Sequence, residues 1–207
     1  MAQARSLTTP LATVHTGGIG LLAAEVRAAC DEPETMRQRI RAALAGVVAI
    51  PQLLRPDQRV PQAGCYARHV LYTDPAGRFT IVAIVWGAGQ FSPAHAHHTW
   101  CAYAVYENTL EETVFAWNAA TGQAEQVRTE SRPAGHACFS AAGLDQIHRL
   151  GNSGPDSAIS IHVYGVEGER VATHVNRKVD VAREEGRGLE RNDESVGAAA
   201  PRGAARR

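Results

Sequence analysis

Gly89-Gln-Phe-Ser-Pro-Ala-His95-Ala-His97-His98-Thr-Trp100-Cys101 is the stretch on which the reading of this chain turns. Successive side chains of an extended strand point to opposite faces, so His95 and His97 project together while Ala96 and His98 point the other way. Two imidazoles placed like this can offer two nitrogens to one ion, and imidazole suits iron, copper, nickel and zinc. That is half of a metal site, and a third donor must come from elsewhere in the fold. A histidine-rich surface loop is the plain alternative, because short motifs are weak signals on their own.

The flanks favour the buried reading. Phe79-Thr-Ile-Val-Ala-Ile-Val-Trp86 leads into Gly87-Ala-Gly89, and Cys101-Ala-Tyr-Ala-Val-Tyr106 follows the histidines. β-Branched and aromatic residues bounded by glycine read as strand, turn, strand, which places the pair on sheet inside the domain. The arrangement of Gly89, five residues, then His95 and His97 resembles the first motif of the cupin β-barrels. Many cupins carry a glutamate four or five residues after the second histidine, whereas Cys101 and Ala102 stand there in this chain.

Working outward, 207 residues with 44% hydrophobic content suit one globular domain with a sizeable core. Twenty-one basic residues balance 21 acidic ones, which gives no reason to expect nucleic acid or an anionic membrane as a partner. No apolar run approaches the roughly 20 residues needed to span a bilayer. The start of the chain has no basic, apolar and cleavage-site sequence of a signal peptide. Cys30, Cys65, Cys101 and Cys138 form no Cys-x-x-Cys pair, so cysteine-built structural zinc and a disulfide framework are not indicated. A cytoplasmic protein is expected, with three of these cysteines as small buried hydrophobes and Cys101 held open.

Residues 19–30, with Leu22, Val26 and Ala29 on one face, read as a short amphipathic helix. A second follows, capped by Asp31 or Glu32, with Pro33 in its first turn and Met36, Ile40, Leu44 and Val47 at helical spacing up to Val48. Both are expected to pack on the outside of a sheet. Pro51 to Pro61 is loop-like. Strands are then expected near 65–73, 79–86, 99–106, 111–117, 124–129, 136–140, 145–150 and 158–165, the pattern of a sandwich or barrel. The resulting organisation is mainly β: an N-terminal helical segment over 1–50, a β-barrel domain over 51–175 and a flexible C-terminal tail over 176–207.

The third donor is to be sought among His15, His69, His136, His148, His162 and His174. His15 and His174 lie near the ends of the domain, where solvation is expected. His148, in Asp145-Gln-Ile-His-Arg-Leu-Gly-Asn152, sits on a late strand that can return beside the one carrying His95 and His97. The alternative is a strand histidine satisfied by a backbone partner. In Ala158-Ile-Ser-Ile-His-Val-Tyr164, Ser160, His162 and Tyr164 share one face and Ile159, Ile161 and Val163 the other. The polar face either meets water or lines the inside of a barrel as a hydrogen-bonded chain; alternation alone does not choose.

Taken together, Tyr66-Ala-Arg68, Trp86-Gly-x-Gly-x5-His95-x-His97, Leu110-Glu-Glu-Thr-Val-Phe115, Ile147-His148-Arg149 and Ser160-x-His162-x-Tyr164 resemble the thiol dioxygenases of the cysteine dioxygenase family, in a bacterial form. The resemblance implies a cupin-type jelly roll whose Fe(II) cofactor is held by His95, His97 and His148. It further implies oxidation of the L-cysteine thiol by O2 to the sulfinate, with Arg68 gripping the substrate carboxylate and Tyr66 supporting it. Tyr164 then stands near the oxygen site, backed by His162 and Ser160. Relatives with a cysteine five residues after the second ligand join it to the active-site tyrosine through a thioether; Cys101, four residues after His97, is the corresponding candidate toward Tyr164.

Three other readings remain at this point. 3-Mercaptopropionate is an alternative substrate, although Arg68 stands where its dioxygenases often carry glutamine. A non-catalytic cupin that senses metal or thiol needs no set like Tyr66, Arg68 and Tyr164. A zinc or nickel hydrolase lacks a carboxylate base in the metal motif. A monomer is expected, with a small thiol and O2 as its partners.

Overall fold

The computed structural model describes residues 17–182. Helix α1 (Gly18–Cys30) buries Ile19, Leu22, Ala23, Val26 and Ala29 along one stripe. Helix α2 (Pro33–Ala45) opens on Pro33, whose missing N–H costs nothing in a first turn. Glu32 occupies the cap position, but its carboxylate is drawn to the Thr35 hydroxyl and to Arg39, so it does not cap the helix. The helix ends earlier than its periodicity suggests. A 3-10 turn over Gly46–Ala49 follows, burying Val47 and turning Val48 out to solvent.

Ten strands follow: β1 (Ala67–Thr73), β2 (Thr80–Trp86), β3 (His95–His97), β4 (Cys101–Glu107), β5 (Thr109–Asn118), β6 (Gln123–Pro133), β7 (Ala137–Ser140), β8 (Gly143–Gly151), β9 (Ala158–Tyr164) and β10 (Asn176–Lys178). They form two five-stranded antiparallel sheets in the orders β1-β2-β9-β4-β7 and β10-β3-β8-β5-β6. This is the expected mainly β, cupin-type architecture with N-terminal helices. Among the described residues, however, no ladder joins the two sheets into a closed barrel.

β2 and β9 are buried along their whole length because both faces of the first sheet are covered. Ile81, Ala83, Val85, Ile159, Ile161 and Val163 meet Leu22, Val26, Ile40 and Leu44 of the helices. Val82, Ile84, Trp86, Tyr103 and Val105 face the second sheet together with Leu110 and Leu150. The loop that delivers β3 is fixed against the end of β8. Gly89, at φ +72, turns the chain and donates its N–H to the Asn152 carbonyl at 2.9 Å. Opposite it, a Cβ on Gly151 would come within 2.2 Å of the Phe91 ring, so glycine is required there.

Two expectations are corrected. The chain does not become a loose tail at Asn176, because Asn176–Lys178 forms β10, a strand too short and too polar for its composition to reveal. The rest of the predicted tail beyond residue 182, like His15, lies outside the described residues. Nor are three cysteines buried fillers beside Cys101. Cys65 is exposed in the loop before β1, and Cys30 and Cys138 are half-buried.

Candidate metal centre and its surroundings

His95 and His97 flank Ala96 on β3, and β3 pairs with β8 so that His95 lies directly across from His148. Cross-strand partners present their side chains on the same face. The register breaks between His95 and His97, a bulge of the kind that re-aims side chains beside functional sites. Ring centroids then lie 5.1 Å apart for His95 and His97, 4.7 Å for His95 and His148, and 5.2 Å for His97 and His148. One nitrogen from each ring falls within 4.8 Å of the others, and all three side chains are buried.

Local hydrogen bonds fix which nitrogens are free. His95 Nδ1 lies 2.9 Å from the Pro93 carbonyl, and His148 Nδ1 lies 2.7 Å from Glu112 Oε1. Both partners only accept, so both Nδ1 atoms carry the proton and both Nε2 lone pairs are left for a cation. His97 Nδ1 is buried with no hydrogen-bond partner. Burial holds His95 down to about 3 and His97 down to about 2, so both imidazoles are neutral near pH 7. Neutral nitrogens converging in a buried pocket fit a transition-metal ion, and they leave its charge uncompensated.

Behind His148 stands a carboxylate that reading the sequence missed. Glu112 lies on β5 two residues from Val114, the direct partner of His148, and therefore on the same face. Its second oxygen accepts from Arg132 Nε at 2.8 Å. Burial alone would raise the Glu112 carboxyl, but the hydrogen bonds from His148 and Arg132 outweigh it and hold it at about 2. Glu112 thus orients His148 and fixes its tautomer, as carboxylates behind metal-binding histidines commonly do.

The polar face of β9 lines the inside of the molecule. Trp86 Nε1 donates to Ser160 Oγ at 2.9 Å, Ser160 Oγ lies 2.8 Å from His162 Nε2, and His162 Nδ1 lies 3.1 Å from the Tyr164 hydroxyl. An indole N–H can only donate, and the serine proton finds no other acceptor among the described residues, so it goes to His162 Nε2. His162, kept uncharged by burial, then carries its proton on Nδ1 and donates it to the tyrosine oxygen. The Tyr164 O–H is left free to point into the site. Burial, reinforced by Cys101, raises the phenol well above its ordinary value, so it remains protonated. Tyr103, also missed, is the cross-strand partner of His162 and stacks on it at 5.4 Å.

Tyr66, Arg68, Cys101, His162 and Tyr164 line the same cavity as the three histidines; Ser160 is linked to it through His162 and Trp86. Arg68 lies across from Ile84, whose side chain also walls the cavity, and its guanidinium stands at an exposed rim where Nη2 donates to the Val171 carbonyl at 3.3 Å. The Tyr66 ring packs 4.6 Å from Trp86. Cys101 is the direct partner of Tyr164 on the neighbouring strand, and burial holds its thiol well above the ordinary value. His98 and His174 are exposed, and neither they nor His69 and His136 enter this cavity.

The chain is 29% identical over 94 residues to human cysteine dioxygenase type 1, and 28% identical over 94 residues to the Bos taurus protein. In both cases the match covers 42% of this chain and 45% of the relative, so the chain is matched to less than half of those proteins' length. Similar solved structures include a Klebsiella pneumoniae protein with a double-stranded β-helix domain (21% identity, 56% of this chain and 90% of that one, TM-score 0.43). A cupin family protein from Methanocaldococcus jannaschii is also similar (11% identity, 57% of this chain and 92% of that one, TM-score 0.40). The family described as cysteine dioxygenase type I matches residues 64–173, more than half of the chain, and the chain belongs to that family.

Proposed function

We propose that this protein is a cysteine dioxygenase that uses Fe(II) and O2 to convert the thiol of L-cysteine to the sulfinate. One observation carries the reading: three buried imidazoles converge in a cavity whose wall also holds a guanidinium and a phenol with a free proton. A metal sensor needs no such pair, and a hydrolase needs a carboxylate base that this wall lacks. His95, His97 and His148 would hold the iron, which when bound supplies the redox chemistry that places both atoms of O2 on sulfur.

The chain's own residues bind and orient. Because the ligand set is uncharged, the site attracts an anion and favours the thiolate over the thiol. Arg68 offers the substrate carboxylate a planar fork of donors at the rim, so the charged tail stays outermost and the thiol enters first. Ile84, Trp86 and Leu150 in the wall exclude water from the reacting centre. Tyr164, anchored through His162, Ser160 and Trp86, aims its proton at the oxygen accumulating on sulfur. The pairing of Cys101 with Tyr164 supports a thioether between them, a bond formed with loss of one hydrogen from the thiol and one from the ring, O2 taking up the two electrons.

The test is oxygen uptake by purified protein loaded with Fe(II) under anaerobic conditions and then given air and cysteine. The expected result is one O2 consumed per cysteine, with the sulfinate identified by mass spectrometry. Binding of iron without thiol-dependent O2 uptake would overturn the reading.

A further inference from the structure

We propose that Asn176 is a specificity-determining residue, whose side-chain amide oxygen accepts an N–H from the amino group of the substrate. The pocket then selects amino-thiols over thiols of the same length without an amine. The inference rests on the reading of the chain as a thiol dioxygenase, and it concerns a residue outside the family match over 64–173.

Placement is the first argument. β10 pairs with β3, and Asn176 lies directly across from His97, so the two side chains share a face, the one turned toward the metal centre. Asn176 accordingly lines the inner cavity with the three histidines. It also lines an adjoining outer cavity with Tyr66, Arg68 and Lys178. It therefore stands where a molecule must pass and lodge if its sulfur approaches the imidazoles and its carboxylate approaches Arg68.

Chemistry is the second. Asn176 Oδ1 is buried and has no hydrogen-bond partner among the described residues. A buried amide oxygen without a donor is costly and uncommon in native folds, and it calls for a group that completes it. Several of the neighbouring polar groups offer an amine no free acceptor. Arg68 is purely a donor, Tyr164 presents a proton, and both nitrogens of His162 are engaged. The Asn176 oxygen supplies the acceptor that an amino-thiol needs beside the cation that holds its carboxylate.

Three thiols separate the possibilities, because cysteine carries amine and carboxylate, cysteamine only the amine, and 3-mercaptopropionate only the carboxylate. Their affinities for Fe(II)-loaded wild type and Asn176→Ala would be measured by anaerobic calorimetry, where no turnover occurs, and oxygen uptake would then be measured with each. The expected result is that Asn176→Ala lowers the affinity for cysteine and for cysteamine relative to 3-mercaptopropionate by about tenfold, the effect of one lost hydrogen bond to a polar ligand. Equal losses for all three thiols, or no change, would overturn the proposal by giving Asn176 a structural role or none. Losses confined to cysteine and 3-mercaptopropionate would overturn it by assigning the amide to the carboxylate. Failure of the underlying reading looks different: wild type would then take up no O2 with any of the three.

Discussion

Glu112 joins the candidate metal centre to a guanidinium on the far side of β5, with one oxygen on His148 Nδ1 at 2.7 Å and the other on Arg132. Replacing it by glutamine keeps the shape but removes the charge and allows the amide to present N–H to a ring that must itself donate. Glu112→Gln is expected to weaken Fe(II) binding by about 10- to 100-fold, the usual cost of losing such a partner. Competition with a chromophoric chelator measures this directly, and unchanged affinity would remove Glu112 from the site. Two histidines of the centre were legible from the sequence because strand periodicity is local. Glu112 was visible in Leu110-Glu-Glu-Thr-Val-Phe115, but periodicity does not say which of two adjacent glutamates faces inward. Only the pairing of Val114 with His148 decides it.

β9 shows how one strand serves two interiors. Its isoleucines and Val163 pack under the helices while Ser160, His162 and Tyr164 form the relay on the opposite side. The alternation was legible; whether its polar side met water was not, because that depends on a second sheet lying across it. Ser160→Ala removes the acceptor for Trp86 Nε1 and the donor that holds His162 in its tautomer. Turnover of cysteine is expected to fall by roughly tenfold or more, as when a positioned proton donor is lost, while Fe(II) affinity stays within about twofold. A pH profile of kcat that broadens or shifts on its acid side in Ser160→Ala separates loss of tautomer control from loss of packing. An equal fall in iron affinity would instead mark general damage to the sheet. β10 was hidden for a different reason. Three residues of Asn, Arg and Lys have no strand signature, and they are ordered through their backbone partner, β3.

The described residues stack in three layers: two helices, the inner sheet and the sheet that carries His95, His97 and His148. Asp74, in the turn between β1 and β2, ties the helices to the inner sheet, accepting from Arg27 on α1 and from Arg78. In the metal-free protein this stack confines imidazoles that cannot take a proton. Above about pH 6.5, the ordinary histidine value, His95 and His97 are neutral whether the chain is folded or not. Below it the unfolded chain gains protons that the folded one refuses down to about 3 and about 2, so stability must fall as pH falls. Glu112, held at about 2, acts in the same direction below its ordinary range. The thermal midpoint of metal-free protein should therefore drop between pH 7 and pH 5, with a slope of up to about 1.4 kcal/mol per pH unit for each imidazole. A level midpoint over that interval would count against neutral burial.

The place of β10 in the chain bears on how the protein matures. Synthesis runs from the N-terminus, so the imidazoles of His95, His97 and His148 leave the ribosome before Asn176 does. A growing polypeptide thus holds all three imidazoles while the strand that will flank them is still being made, and until it docks, β3 keeps an unpaired margin on that side. Its late arrival makes the docking of β10 on β3, rather than the gathering of the imidazoles, the step that completes the wall of the pocket.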